Sequence, residues 1–435
     1  MTTKWIGGAA AVLALGLVVV AQPPVAAQGG NGGAQWATTW HTAVVPRAAM
    51  PPQQGQGQPP LNVNNQTLRQ IVHVTLGGDR IRLVLSNAFG TEPLMVGAAG
   101  VALRQKDAVI AAGSSRPVTF DGRRAVSIPP GAVMLSDAVA LPVPALTDLV
   151  VDIHIPGDTG AGTSPLTTHG NARQTSYVST AGNHVGAAEL PVATTTAGWF
   201  FLTRVEVAAT GPVGVIAGLG DSITEGNGST PDTNGRWPDY LAKRLMARTG
   251  PLDSARDRPK FGFANGGIGG NRVLSGGTPN ALARFDRDVL AQPGVTHVVF
   301  TEGINDLRIT AQNPNSIPLA DLIAGHKQVI ERARAAGLKI YGGTLVPYEG
   351  TMGWTKETEE IRVALNTWIK TSKAYDAFID FDAAIRDPAQ PSRILAKFDS
   401  GDHLHPNNAG YEAMANAIDL ALFTVGAPVR TTNTR

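Results

Sequence analysis

The chain contains no cysteine. A disulfide framework, a cysteine nucleophile and a thiolate metal site are therefore excluded. Export is compatible with that absence, because a chain of 435 residues has enough apolar material for a core without cross-links. Aromatic residues are scarce, at 6%, beside 50 Gly and 30 Pro, and this balance points to turns and β-structure in part of the chain. Charge of one sign is lacking as well. The 36 Lys+Arg against 34 Asp+Glu leave a net +2, which gives no electrostatic footprint for nucleic acid. Beyond residue 27 no apolar run is long enough to span a bilayer. Gly-x-Ser-x-Gly is missing too, so the nucleophile elbow of an α/β-hydrolase is not indicated.

Residues 1–27 read as a secretory signal, with Lys4 ahead of the apolar stretch Ile6 to Ala21 and the small residues Val25-Ala26-Ala27 at a cleavage site. A retained anchor is the rival, but the glycines and the small-residue exit favour removal, after which no membrane partner is expected. Residues 28–33 form a Gly-rich spacer and residues 51–60 a Pro/Gln/Gly-rich loop.

From residue 34 to 210 the pattern is that of strands, with no convincing helix. Strands are predicted over Trp36 to Val45, near Val101, and at Ala125–Ile128, Leu149–Ile155 and Trp199–Val207. Val72, Val74 and Leu76, the turn Gly77-Gly78-Asp79, and Ile81, Leu83 and Leu85 predict a hairpin. The composition suggests an antiparallel β-sandwich. At Gly211-Pro212 the character changes. Apolar runs at Val213–Ala217, Phe261–Ala264, Val295–Thr301, Leu338–Thr344 and Ala377–Phe381 alternate with helical patterns such as Ile317–Ala336 and Thr355–Lys373. That alternation predicts a parallel sheet covered on both faces over residues 211–425, with residues 426–435 as a tail.

Four segments of this second half carry chemically useful residues. Gly220-Asp221-Ser222 follows the first strand, Asn265-Gly266-Gly267-Ile268-Gly269-Gly270-Asn271 the second, and Gly303-Ile304-Asn305-Asp306 the third. Asp402-His403-Leu404-His405-Pro406 precedes the last helix. Strand ends of an open α/β sheet share one edge, where ligands bind. A serine hydroxyl needs a base such as imidazole, and the imidazole needs a carboxylate to orient it. Asp402 and His405 are three apart, so one helical turn would bring them together. Glycine N–H groups and an asparagine amide suit an oxyanion. An ordinary turn would use Ser and Asp equally well, so the first segment alone decides nothing.

Together and in order, the four segments resemble the blocks of the SGNH (GDSL-type) hydrolase superfamily, over roughly residues 211–425. The resemblance implies a flavodoxin-like three-layer sheet and a serine esterase with no metal or organic cofactor. It implies Ser222 as nucleophile, His405 as general base and Asp402 as its orienting carboxylate. It further implies an oxyanion hole from the Ser222 N–H, the Gly270 N–H and the Asn305 amide, which is expected to face solvent and substrate. Ile223 stands where the family has its name-giving leucine, a swap that leaves the chemistry untouched.

Competing readings are weaker. Asp402-His403-x-His405 offers metal-ligand types, but adjacent residues rarely hold one ion and no further cluster appears. Gly267-Ile268-Gly269 hints at a dinucleotide loop, yet Arg272 fills the third glycine position. Asp221 and Asp306 read as hydrogen-bonding scaffolds. His169–Arg173 and Ser86–Gly90 are turn-rich candidates for a shared cleft, though loop geometry explains them as well. Pro347–Trp354 is the better candidate for substrate contact. The expected substrate is a small-molecule or polysaccharide ester, with acetylated carbohydrate ahead of lipid. The opposing reading is a glycan- or surface-binding protein with a non-catalytic α/β half.

Overall fold

The computed structural model describes residues 1–2, 35–47, 62–160, 165–248, 259–274, 279–310 and 318–425. The signal, the spacer, the 51–60 loop and the C-terminal tail read from the sequence lie outside the described residues or nearly so.

Residues 213–379 build a five-stranded parallel sheet from Val213–Gly220, Lys260–Gly267, Val295–Thr301, Lys339–Gly343 and Ala377–Ile379. Numbered along the chain, their spatial order is 2-1-3-4-5, the doubly wound flavodoxin-like order. Successive side chains of a strand point to opposite faces, and both faces are apolar here. Val215, Ala217, Leu219, Val298, Phe300 and Ile340 share a core with the helices Leu319–Ala335 and Lys356–Thr371. Ile216, Val299, Tyr341 and Ile379 pack on the other face against Trp237–Met246 and Asn408–Asn416. Thr355 starts its helix by accepting from the Thr358 N–H, and Gly337, at φ +72°, follows the end of Leu319–Ala335.

The region before residue 210 is strand-rich, and its ladders are antiparallel. One sheet orders Gln35–His41, Leu202–Ala209, Gly78–Ser86 and Val133–Leu135, with Val139–Val143 also on Gly78–Ser86. A larger sheet centres on Asn64–Val74 and Thr147–Asp158. The predicted hairpin across Gly77 does not form, because its two strands belong to different sheets. Between them the Thr75 N–H donates to Thr39 O (2.9 Å) and the Leu76 N–H to Thr39 Oγ1 (2.7 Å), which turns the chain out of one ladder towards the other. A Cβ on Gly77 would lie 2.6 Å from Val143 O, so only glycine fits this crossing.

The two halves share a core. Ala37, Leu76 and Val205 belong to the same apolar cluster as Val215, Ala264 and Val298. Lys260–Gly267 is the edge of the parallel sheet, and edge N–H groups need partners. Thr75 Oγ1 accepts from the Phe263 N–H (2.9 Å), and Thr42 bridges in parallel to Asn265. The antiparallel region thus covers the sheet edge nearest the second functional loop. Among the described residues no helix is long and apolar enough to cross a membrane.

Candidate active site

Gly220 pairs in register with Gly267 on one side and Thr301 on the other, so three strands end at one level. Ser222, Gly270 and Asn305 follow those ends by two, three and four residues. Their convergence is a consequence of parallel register. Asp221 caps the short helix Ser222–Glu225 by accepting from the Ile223 N–H at 2.9 Å. Gly267 is obligatory beside it, because a Cβ there would lie 2.1 Å from the Glu225 backbone N.

Ser222 Oγ lies 2.8 Å from His405 Nε2, and His405 Nδ1 lies 2.5 Å from Asp402 Oδ2. Asp402 Oδ1 also accepts the N–H groups of Leu404 (3.0 Å) and His405 (2.8 Å). Burial pushes the Asp402 carboxyl up, but these hydrogen bonds outweigh it and hold the group at about 2. The carboxylate therefore accepts from His405 Nδ1, which leaves Nε2 turned to the serine hydroxyl. The Asp402–His405 contact is not made on a helical turn. Residues 401–405 are a bend closed by the Asp399–Pro406 bridge, with His403 left-handed at φ +64°. An Asp side chain accepting N–H groups two and three residues on favours such a turn over helix. His403 turns to Asp399 instead, with Nδ1 2.7 Å from Oδ2.

Gly270 is exposed at φ +73°, a left-handed conformation that a side chain would strain. Asn305 differs from expectation. It is 4% exposed, and its Nδ2 donates to Asn271 O at 3.0 Å, while Oδ1 accepts from Arg308 Nη1 at 3.2 Å. Only one amide hydrogen is left for a ligand, because the loop holding Gly270 needs the other. Asp306 accepts from the Val273 (2.8 Å) and Leu274 (3.2 Å) N–H groups, and burial raises its carboxyl to about 6. This is the scaffold role its position suggested.

Ser222, Gly270, Asn305 and His405 line one open cleft of about 380 Å³. Val45, His169, Gly170 and Asn171 form another part of its wall, so the antiparallel region shapes the cleft directly. The turn at 169–171, which loop geometry alone would have explained, therefore lies at the site. Ser86–Gly90 does not; the Phe89 N–H is tied to Thr167 Oγ1 and Asn87 Nδ2 to two backbone carbonyls. Pro347–Trp354 does not line this cleft either, but it reaches a cleft residue through Met352 O, which accepts from Arg308 Nε at 3.4 Å. Sequence reasoning missed Arg308, Asn227 and Val45. The i, i+3 spacing of Asn305 and Arg308 was the one available signal.

Residues 219–413 match the model of the GDSL-like lipase/acylhydrolase family. No curated relative matches the chain. Among solved structures, a catalytic mutant of an acetylxylan esterase from Geobacillus stearothermophilus is 21% identical, with 48% of this chain and 93% of that one covered and a TM-score of 0.36. A GDSL-like lipase from Bacteroides thetaiotaomicron is 18% identical, with 47% and 84% covered and a TM-score of 0.34.

Proposed function

Taking residues 219–413 as a GDSL-like lipase/acylhydrolase domain, we propose that the chain is a serine esterase working through an acyl-enzyme. The observation that carries this reading is the Ser222–His405–Asp402 series of contacts, at 2.8 and 2.5 Å, opening onto a cleft shared with Gly270 and Asn305. Ser222 Oγ attacks the ester carbon as its proton passes to His405 Nε2, and Asp402 stabilises the imidazolium that results. The carbonyl oxygen becomes an oxyanion held by the N–H groups of Ser222 and Gly270 and by the remaining Asn305 amide hydrogen. Collapse breaks the C–O bond, and His405 returns the proton to the departing alcohol. Water then attacks the acyl-enzyme, giving its proton to His405, and the acid leaves as Ser222 recovers its own.

The substrate we assign is a short acyl ester, such as acetyl, on a polar alcohol of the carbohydrate class. Asn171, Asn227 and Arg308 on the cleft wall support a hydrogen-bonding alcohol portion. Apolar residues 6–21, followed by small ones, support export by a signal removed from the mature protein. Residues 34–210 then act as an accessory region that completes the cleft.

The decisive experiment pairs fluorophosphonate labelling with turnover of a chromogenic acetyl ester. Wild-type protein labels once and turns over, while Ser222→Ala does neither. Undiminished labelling or turnover in the Ala variant would remove Ser222 from the mechanism. An acyl panel on acetylated sugars and phospholipids then separates the substrate classes.

A further inference from the structure

We propose that Arg308 is a positioning residue for the oxyanion donor, fixing and polarising the Asn305 amide. The inference rests on the reading of Asn305 as that donor. Both residues stand on the helix Ile304–Thr310, one turn apart, so their side chains meet on one face. Arg308 Nη1 reaches Asn305 Oδ1 at 3.2 Å, and Asn305 Nδ2 reaches Asn271 O at 3.0 Å.

Two consequences follow from donor and acceptor chemistry. A guanidinium only donates and a backbone carbonyl only accepts, so the amide cannot flip end for end without placing donor on donor and acceptor on acceptor. The second Nδ2 hydrogen is thereby held in one direction in the cleft. The positive charge on the amide oxygen also draws electron density from the nitrogen. Both N–H groups become stronger donors, and a bonded chain of this kind strengthens each of its members. A donor prepared in this way needs no reorientation when the oxyanion forms, and its effect falls on the transition state. Arg308 is held in turn by its Nε contact to Met352 O at 3.4 Å, which ties the Pro347–Trp354 loop to the same amide.

The test compares Arg308→Met, which keeps the aliphatic stem and removes the donor, with Arg308→Lys, which keeps the charge. Each is measured with a chromogenic acetyl ester, alone and in an Asn305→Ala background, with thermal melting alongside. Arg308→Met is expected to lower kcat about 10-fold with KM within about 2-fold of wild type. Arg308→Lys should recover part of that loss. In the Asn305→Ala background the Met substitution should cost less than about 2-fold, because the group it acts through is gone. A wild-type kcat for Arg308→Met overturns the proposal, as does a full 10-fold loss persisting without Asn305. A raised KM at unchanged kcat also overturns it and makes Arg308 a substrate-binding group. Should Arg308→Met melt below the assay temperature, Arg308→Leu, which also removes the donor, is judged by the same criteria. If Asn305→Ala alone leaves kcat intact, the reading of Asn305 fails, and that result is distinct from any failure of Arg308.

Discussion

His169 Nε2 lies 3.1 Å from Glu225 Oε1, joining the antiparallel region to the helix that begins with Ser222. His169 Nδ1 donates to Ala43 O at 2.8 Å, since a carbonyl only accepts. Nε2 is therefore the ring nitrogen left to face the Glu225 carboxyl. Asn171 Nδ2 supplies Glu225 Oε2 with a further donor at 3.3 Å.

Breaking this link strands a buried carboxyl. His169→Ala is expected to lower unfolding free energy by about 3–5 kcal/mol, the usual result of removing one partner of a buried pair. Glu225→Gln should cost much less, because a neutral amide donates to Nε2 without a charge to solvate. Urea unfolding of both variants checks the order. Equal losses would mean that the contact matters only as packing.

The carboxylate of the proposed relay has its own signature. Asp402 is held ionised down to about 2, so it does not set an acid limit on activity between pH 4 and 8. Asp402→Asn leaves the geometry but no longer selects the Nδ1–H tautomer, and kcat is expected to fall by about 10³–10⁴. The pH–rate profiles of both proteins, measured with the same acetyl ester, test this. A loss below 10-fold would leave Asp402 as a turn-former only.

Asn305→Ala is expected to lower kcat by about 10²–10³ with little change in KM. Asn305→Asp should be worse, since it puts a carboxylate where an oxyanion must form and faces Asn271 O with an acceptor. The tie to Asn271 adds a second effect that the sequence did not suggest, namely loosening of the Gly270 loop. Fluorophosphonate labelling, slowed but still detectable, serves as the control for an intact Ser222. Wild-type turnover in Asn305→Ala would leave only backbone donors for the oxyanion.

Asp221 makes stability fall with pH. Burial raises its carboxyl from 3.8 to about 7, against the Ile223 N–H that it accepts. The folded protein thus holds this proton more tightly than the unfolded chain between those values. Its contribution is favourable at low pH and is lost as pH rises through about 7. Asp221→Asn removes the titration, so its stability relative to wild type should improve by about 3 kcal/mol from pH 5 to pH 9. Urea midpoints at the two pH values measure the difference. An unchanged difference would mean that the group is already ionised at pH 5.

The sequence by itself determined what depends on neighbours along the chain. Val295–Thr301 was legible as a buried parallel strand because Val298-Val299-Phe300 is apolar without alternation, and the loops after three such strands were legible because glycine or asparagine stands at their ends. Parallel register then brings Ser222, Gly270 and Asn305 to one edge without further information. Only the tertiary structure decided how separate segments meet. Ile81–Leu85 had the alternation of a hairpin arm, but alternation fixes which face is buried and not which strand is the partner. Asp402 and His405 had a spacing that suits a helix, yet the Asp side chain captures the backbone N–H groups that a helix would have used. His169 looked like part of an ordinary turn until Glu225 was placed against it. In each case a short-range pattern admitted several partners, and the choice among them fell to the groups that folding placed within reach; His169 and Glu225 are buried together, where a polar group left without a partner is costly.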